Sequence, residues 1–388
     1  MKKKILIIFK YPRGNWNGPV IRKFSNFYDV EHLYISDYKN ENFTEIIENI
    51  NNLVKLKNIE IVVFDVDYFK FINLFFINKI DCKKKILITG DDFDQHDVHS
   101  ITASACDIVL SGCPLSVLKY KEKGYESHWM HYESGNASIK SEENKDIDVL
   151  FFGHISPDRK FFLNHLVKEG INLKNVGHED NSHGIPYEEL LKLISRSKII
   201  LNLSKSRTES VKNHSMENTF RFYYQFKGRM IMAGMGGAAC VSEYSPSQDL
   251  LFNKDEITTF FSKEECVTIL KKILGNTELL KKYTTNFTLK VQHLCDDKNI
   301  FSEIKNSIEK KNNRKVELFK IPYWYLRISA KQILLRNIKL SNFIKTLFQL
   351  GTIFNMVKNS NYIVKILILL ESIINISWYS VVSTVRSK

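Results

Sequence analysis

Apolar runs at 4–9, 30–35, 59–64, 85–89, 107–111 and 127–131 punctuate the first part of the chain. Between them, as at 42–55 and 114–123, apolar positions recur with helical spacing. A short, nearly continuous apolar run suits a strand buried on both faces, because neither side has to meet water. Ile59-Glu60-Ile61-Val62-Val63-Phe64, broken by Glu60 alone, is the clearest case. Strands alternating with helices predict a parallel sheet with crossover helices, a doubly wound Rossmann-like domain over 1–140.

A polar stretch from Gly135 to Asp146 then reads as a linker. The alternation restarts at Asp148-Val149-Leu150-Phe151-Phe152-Gly153, a strand ending in glycine. Further strands are expected at 173–177, 198–203 and 238–242, and helices at 159–169, 187–196, 216–235, 263–274, 277–294 and 299–310. This gives a second Rossmann-like domain over 146–315. Ligands of doubly wound sheets sit beyond the carboxyl ends of the strands. Two such domains facing a cleft therefore form one bipartite site with one ligand in each half, which suits a two-substrate transfer.

Composition changes this picture little until the tail. Hydrophobic residues make up 44% and charged residues 26%, which excludes a disordered chain. The six cysteines form no CxxC pair and no Cys/His zinc spacing, as expected of reduced thiols in a cytoplasmic protein. Lys2-Lys3-Lys4 precedes only five apolar residues before Lys10, too few for a leader, so this run reads as the first strand. The net charge of +13 is concentrated beyond residue 319, where ten Lys and Arg face the single acid Glu371. The tail 320–388 is therefore expected to form amphipathic basic helices on an anionic membrane surface, placing the protein peripherally on the inner face of the cell membrane. Packing of these helices on the domains, and a tilted spanning helix over 361–382, are the alternatives. Nucleic acid is not expected as a partner, because the charge sits in an apolar tail without a nucleic-acid motif.

Several residues carry candidate chemistry. Gly153 ends a strand just before Ser156-Pro157-Asp158-Arg159-Lys160, where helix amides, Arg159 and Lys160 would favour a diphosphate. The bland alternative is an ordinary strand–helix turn. Lys227-Gly228-Arg229 offers a point charge and a guanidinium fork for phosphate. Gly236-Gly237 ends the helical pattern, and Glu243 just past the next strand would accept hydrogen bonds from a ribose; a helix cap and a surface carboxylate are the alternatives. Asp92, with His96 as substitute, is the candidate base for an acceptor hydroxyl, a role that needs a raised carboxylate pKa. Asp91 or Asp94 would otherwise cap a helix. Asp92-Phe93-Asp94 also has the form of a metal-binding DxD, but that motif belongs to a different fold, and no metal or cofactor is expected. Asn15-Trp16-Asn17-Gly18-Pro19 follows the first strand, so Asn17 and Gly18 are placed in a loop on the acceptor side, unless it is a plain turn. His131 and Glu133 would line the cleft without an assigned role; His178, His183 and His214 read as surface residues.

The stretch 227–244 resembles the lysine-glycine-arginine, glycine-glycine, serine-glutamate signature of CgeB-like glycosyltransferases, in the glycosyl transferase family 1 group. The order Asp148 to Gly153, Arg159, Gly170, Gly177 and Ile199-Ile200-Leu201-Asn202 is similar too, as are Asp91-Asp92, Asp107-Ile108-Val109, Ser116, Tyr120 and Gly124. The resemblance covers about 85–310 and leaves the tail outside. It implies the two-domain GT-B fold and a nucleotide-sugar donor in the second domain, with Gly153, Arg159, Lys227, Arg229, Gly237 and Glu243 expected to hold it; the basic tail adds the expectation of a glycan acceptor, lipid-linked or at the cell surface. One departure is Ile231-Met232, where the family has an apolar residue and a glutamate; the lost contact then falls to a residue such as Glu243. It also motivates the other reading, a non-catalytic nucleotide- or glycan-binding protein on a degenerate GT-B fold.

Overall fold

The computed structural model describes residues 2–12, 14–38, 41–66, 71–90, 92–132, 144–179, 185–205, 224–310, 321–335, 353, 364–368 and 370–372, apart from the side chains of 14–16, 93, 94, 334 and 335. Six strands, β1 (Lys4–Phe9), β2 (Asp29–Tyr34), β3 (Ile61–Val66), β4 (Lys84–Thr89), β5 (Ile108–Ser111) and β6 (Ser127–Trp129), form the first sheet in the order β2-β1-β3-β4-β5-β6. Every pairing is parallel. The second sheet is built from β7 (Ile147–Phe151), β8 (Leu173–Asn175), β9 (Ser197–Asn202), β10 (Ala239–Glu243) and β11 (Thr258–Phe260), in the order β11-β10-β9-β7-β8, again parallel throughout. Both sheets reverse direction between their first and third strands, and a ligand crevice opens at such a switch point.

The crossover helices bracket the sheets, although the helix expected over 216–235 starts only at Gly228, with 224–227 outside any helix. In the first half they are α1 (Gly14–Ser25), α2 (Phe43–Leu56), α3 (Leu74–Lys79), α4 (Asp92–Ala103) and α5 (Pro114–Glu122). In the second they are α6 (Pro157–Lys168), α7 (Tyr187–Ser195), α8 (Gly228–Met235), α9 (Lys263–Leu274) and α10 (Thr277–Leu294). Local chemistry starts several of them. Asn42 closes a capping box with Glu45 ahead of α2, Asn73 accepts two backbone N–H groups at the start of α3, and Ser156 with Pro157 opens α6.

Three expectations are corrected here. Asn17 and Gly18 lie inside α1 rather than in a loop, and Asn17 is buried. The second domain was expected to run to 315. Instead α11 (Asp297–Glu309) returns to the first sheet, with Ile300, Phe301, Ile304 and Ile308 joining Ile5, Ile7, Phe24 and Ile61 in one core. The cause is the apolar face of α11, which finds its complement in Phe24 and Phe27, Phe301 lying edge-on to the former and stacked on the latter. Third, the tail is not a separate membrane-facing unit where it begins. Helix α12 (Tyr323–Leu335) buries Tyr325, Leu326, Ala330 and Ile333 against the α2–α3–α4 side of the first domain. The Tyr325 hydroxyl accepts from the Leu74 backbone N–H at 2.9 Å and lies 2.9 Å from Thr102 Oγ1. Among the described residues no helix is long and apolar enough to cross a membrane; most of 361–382 lies outside them.

The return of α11 carries a buried ion pair. Lys23 Nζ of α1 donates to Asp297 Oδ1 at 2.6 Å, both side chains all but inaccessible, and Asn26 donates to Asp297 Oδ2 at 3.0 Å. Removing one member of such a pair strands the other charge in a medium that cannot solvate it. Asp297→Ala is thus expected to lower unfolding stability by about 3–5 kcal/mol, read from urea titration. A loss below about 1 kcal/mol would mean that water reaches the pair.

Candidate active site

The carboxyl ends of the two sheets face each other. Cys113, just beyond β5, brings its Sγ to 3.9 Å from Ser247 Oγ, just beyond β10. Trp129 at the end of β6 stands edge-on to Phe226, which leads into α8. His131 and Tyr132 stack on one another and cover Gly228, where an added Cβ would lie 3.0 Å from His131 Nε2 and 3.3 Å from the Tyr132 hydroxyl. The start of α8 is therefore fixed from both domains.

At the switch point of the second sheet, four segments converge: the turn after β7, the turn after β9, the end of β10 and the start of α8. Gly153 has a φ of +104°, open to glycine and strained for other residues. A Cβ there would lie 2.5 Å from Nη2 of Arg229, so a side chain at 153 would also displace the guanidinium. The Arg229 guanidinium lies over the rings of Phe151 and Phe152, 4.9 and 5.6 Å from their centroids, and Nη1 donates to Asn202 Oδ1 at a long 3.4 Å. Among the described residues no carboxylate pairs with it. Burial, and secondarily the charge of Arg159, pull its pKa down to about 9, so it stays a cation at neutral pH, short of counter-charge. Lys227, the residue preceding α8, gives no side-chain cap to the helix amides, which leaves that end suited to an anion.

The other donor-side residues play distinct parts. Arg159 is buried and works as a brace: Nη1 donates to the His154 carbonyl at 2.8 Å, and Nη2 donates to those of Leu203 and Lys205 at 3.3 and 2.9 Å. It ties the turns after β7 and β9 together across the switch point, so its expected contact with diphosphate gives way to a positioning role. Glu243 accepts from the Lys205 backbone N–H at 2.8 Å, and burial raises its pKa despite that bond. Gly237 lies at the amino end of β10, away from the crevice, in a left-handed turn (φ +69°) whose carbonyl accepts from Lys145. Its expected donor contact is corrected by this placement. Met232 is buried in the apolar core of the second domain.

Sequence reasoning missed the polar floor under Arg229. Asn202 Nδ2 donates to Ser204 Oγ and Ser242 Oγ, and Gln248 Nε2 to Ser242 Oγ at 2.6 Å. The signal was an asparagine closing an otherwise apolar strand at its carboxyl end. His178 pairs backbone with His154 beside this crevice; Glu133, His183 and His214 lie outside the described residues.

The first domain corrects the candidate base. Asp92 is 1% exposed and accepts four hydrogen bonds: from Thr89 and Ser111 hydroxyls to Oδ2 at 2.8 and 2.7 Å, and from Tyr120 and His99 to Oδ1 at 2.9 and 2.8 Å. Burial alone would raise its pKa, but the His99 bond and charge, His96 and Ser111 outweigh burial and lower it. A carboxylate so held stays ionised and takes no proton from a substrate. His96 is also interior, its ring 4.6 Å from that of Tyr120; burial brings its pKa down to about 4. The two residues form the polar interior of α4. The backbone of Asp91 and the Asp94 side chain lie outside the described residues.

Two sets of parallel β–α units place their switch-point crevices face to face, and one of the crevices holds an under-neutralised arginine at a helix start. Residues 159–297 match the family described as glycosyl transferase-like, without singling out its CgeB-like members. No curated protein matches the chain. Among solved structures, the chain is similar to Anabaena HepE in complex with UDP and glucose (12% identity, TM-score 0.53, 79% of this chain and 99% of that chain covered). It is also similar to sucrose-phosphate synthase from Thermosynechococcus elongatus (9% identity, TM-score 0.52, 79% and 98% covered) and to an α-glucosyltransferase in complex with UDP (10% identity, TM-score 0.52, 80% and 100% covered). At these identities the structural likeness is one of fold. It gives the chain the two-domain GT-B fold, and the glycosyl transferase-like match lies within the second half of that fold.

The buried ionisable groups set an acid limit on the fold. Asp92, held below its ordinary pKa, supports the fold at neutral pH and loses that contribution as pH falls through its folded value. His96 and His131, drawn by burial from 6.5 to about 4 and about 3, refuse protons that the unfolded chain accepts. All three act in one direction: the two histidines make stability fall as pH drops from about 6.5 toward 4, and Asp92 adds to the loss only below the ordinary aspartate range. Urea midpoints across that range check this, and His96→Gln should flatten the decline; an unchanged midpoint would contradict it.

Proposed function

We propose that the protein transfers a sugar from a nucleoside diphosphate sugar, seated at the switch point of the second domain, to a glycan acceptor presented by the first, at an anionic membrane surface. The acceptor is read as lipid-linked or cell-surface. One observation carries the donor half: Arg229, a buried cation with no carboxylate partner among the described residues, beside an uncapped helix start and a glycine of positive φ whose side chain would displace the guanidinium. A cation kept short of counter-charge favours a ligand that brings it. When the sugar–phosphate bond breaks, negative charge grows on the departing diphosphate, and the guanidinium and helix amides stabilise it there. Gly153 lets the backbone approach, Arg159 and Asn202 hold the surrounding turns, and Glu243 stands at the ribose end. Among the described residues the first domain contributes His131 and Tyr132 beside the start of α8; closure of the cleft around both substrates keeps out the water that would hydrolyse the donor.

Met232 supports a second reading, a binding protein without transfer, because no acid stands at that point of α8. Transfer or donor hydrolysis by the purified protein decides between the two.

Thermal shift against UDP, GDP, CMP and their sugars tests the donor site, since a ligand of the native state raises Tm by mass action. One nucleotide should raise Tm, and Arg229→Met should weaken its binding by about 10- to 100-fold, the value of a charged hydrogen bond. The same variant should keep or raise the ligand-free Tm, because it removes an unpaired buried charge. Gly153→Ala should lose the ligand shift and some stability together. Unaltered binding in Arg229→Met would remove the site from this crevice.

A further inference from the structure

The tail holds a cavity that the sugar-transfer chemistry does not use. About 300 Å3 in volume, it lies between α12 and the helical residues 364–368 and 370–372, with Arg327, Lys331, Glu371 and Ser372 on its polar side and Ile328 and Ile368 on its apolar side. Arg327 and Lys331 are one turn apart on α12, so their cationic ends address the same space. Glu371, the single acid of 320–388, is already occupied: Arg327 Nε donates to its Oε2 at 2.7 Å. Ten Lys and Arg share that segment, so a cationic surplus is left with its only internal counter-charge tied down.

The second helical stretch is apolar on both sides. Ile368 and Ser372 face inward and are buried, while Ile366, Leu367 and Leu370 stand outward at 40%, 44% and 51% exposure. A helix on a protein surface ordinarily turns polar residues to water, and an outward apolar ridge beside a cationic cavity matches the acyl boundary and phosphate layer of an anionic bilayer. Helix α12 has its own apolar face committed to the first domain through Tyr325, Leu326 and Ile333. It therefore acts as a rigid strut between that domain and the ridge.

We propose that this cavity seats the phosphate of an anionic phospholipid while Ile366, Leu367 and Leu370 enter the acyl boundary, so that the acceptor domain is the one held against the bilayer. The inference rests on the membrane placement proposed above and assigns it a contact. It also explains why α12 is buried: without an anchored strut, a lipid-bound helix would not orient the cleft.

The test uses the full chain with vesicles of phosphatidylcholine alone and of phosphatidylcholine mixed with phosphatidylglycerol, read by flotation at low and high salt. Binding is expected only to the mixed vesicles and should weaken with salt. Lys331→Glu, and separately Leu367→Asn with Leu370→Asn, should each reduce it about tenfold or more, with ligand-free Tm and the nucleotide shift unchanged. Vesicle binding that survives both variants would overturn the seat and leave the membrane placement standing. Absence of vesicle binding by the unaltered chain would overturn both, while the nucleotide shift still reports on the donor site. Inorganic phosphate raising Tm in a manner abolished by Lys331→Glu, without vesicle binding, would assign the cavity to a soluble anion. Loss of a dimer on Leu367→Asn would assign the ridge to a second copy; either outcome overturns the proposal.

Discussion

The contact between Arg229 and Gly153 sets the crevice of the second domain. The guanidinium fills the place where any other residue at 153 would put its β-carbon, and the aromatic faces of Phe151 and Phe152 support it from the strand below. Everything around the crevice serves that contact. Arg159 draws the turns after β7 and β9 together, Asn202 and Ser242 provide the polar floor, and His131 and Tyr132 close over the start of α8 from the first domain. A buried cation with so little compensation weakens the free protein. It is a feature that stability alone would not retain, which is why it points to a ligand.

The first domain solves a different problem with similar means. Helix α4 turns Asp92, His96 and His99 inward, on a stripe where apolar residues would be expected. Their polarity is tolerated because Asp92 collects four donors drawn from β4, β5, α4 and α5, so the network fixes the carboxyl ends of two strands beside the cleft. The same stripe ends at Thr102, where Tyr325 of the tail takes part. The tail is thus continuous with the first domain through both hydrogen bonding and packing.

Two segments far apart in sequence hold the halves together. Helix α11 crosses back to the first sheet, and the Lys23–Asp297 pair pins it there across 274 residues of chain. Because the crossing helix and the α8 contacts with His131 and Tyr132 lie on different elements, each domain feels the other at two places.

The β–α alternation was legible in the sequence because its cause is local: strands buried on both faces must be apolar throughout, and helices must repeat their apolar positions every three to four residues. Ten of the eleven described strands, the Gly153 turn and the pairing of Arg229 with a glycine-rich neighbourhood could be read that way; β11, Thr258-Thr259-Phe260, with a single strongly apolar residue, could not. The sequence also determined the charge of the tail. Only the tertiary structure decided what the polar residues do. Asp92 and Arg159 carry the same charges in the linear chain whether they meet substrate or brace the interior, and the difference lies largely in distant partners, Ser111 and Tyr120 for the one and Leu203 and Lys205 for the other, 19 to 46 residues away. It likewise decided that α11 and α12 belong against the first sheet, since an apolar helix face records that it must be covered and not by what.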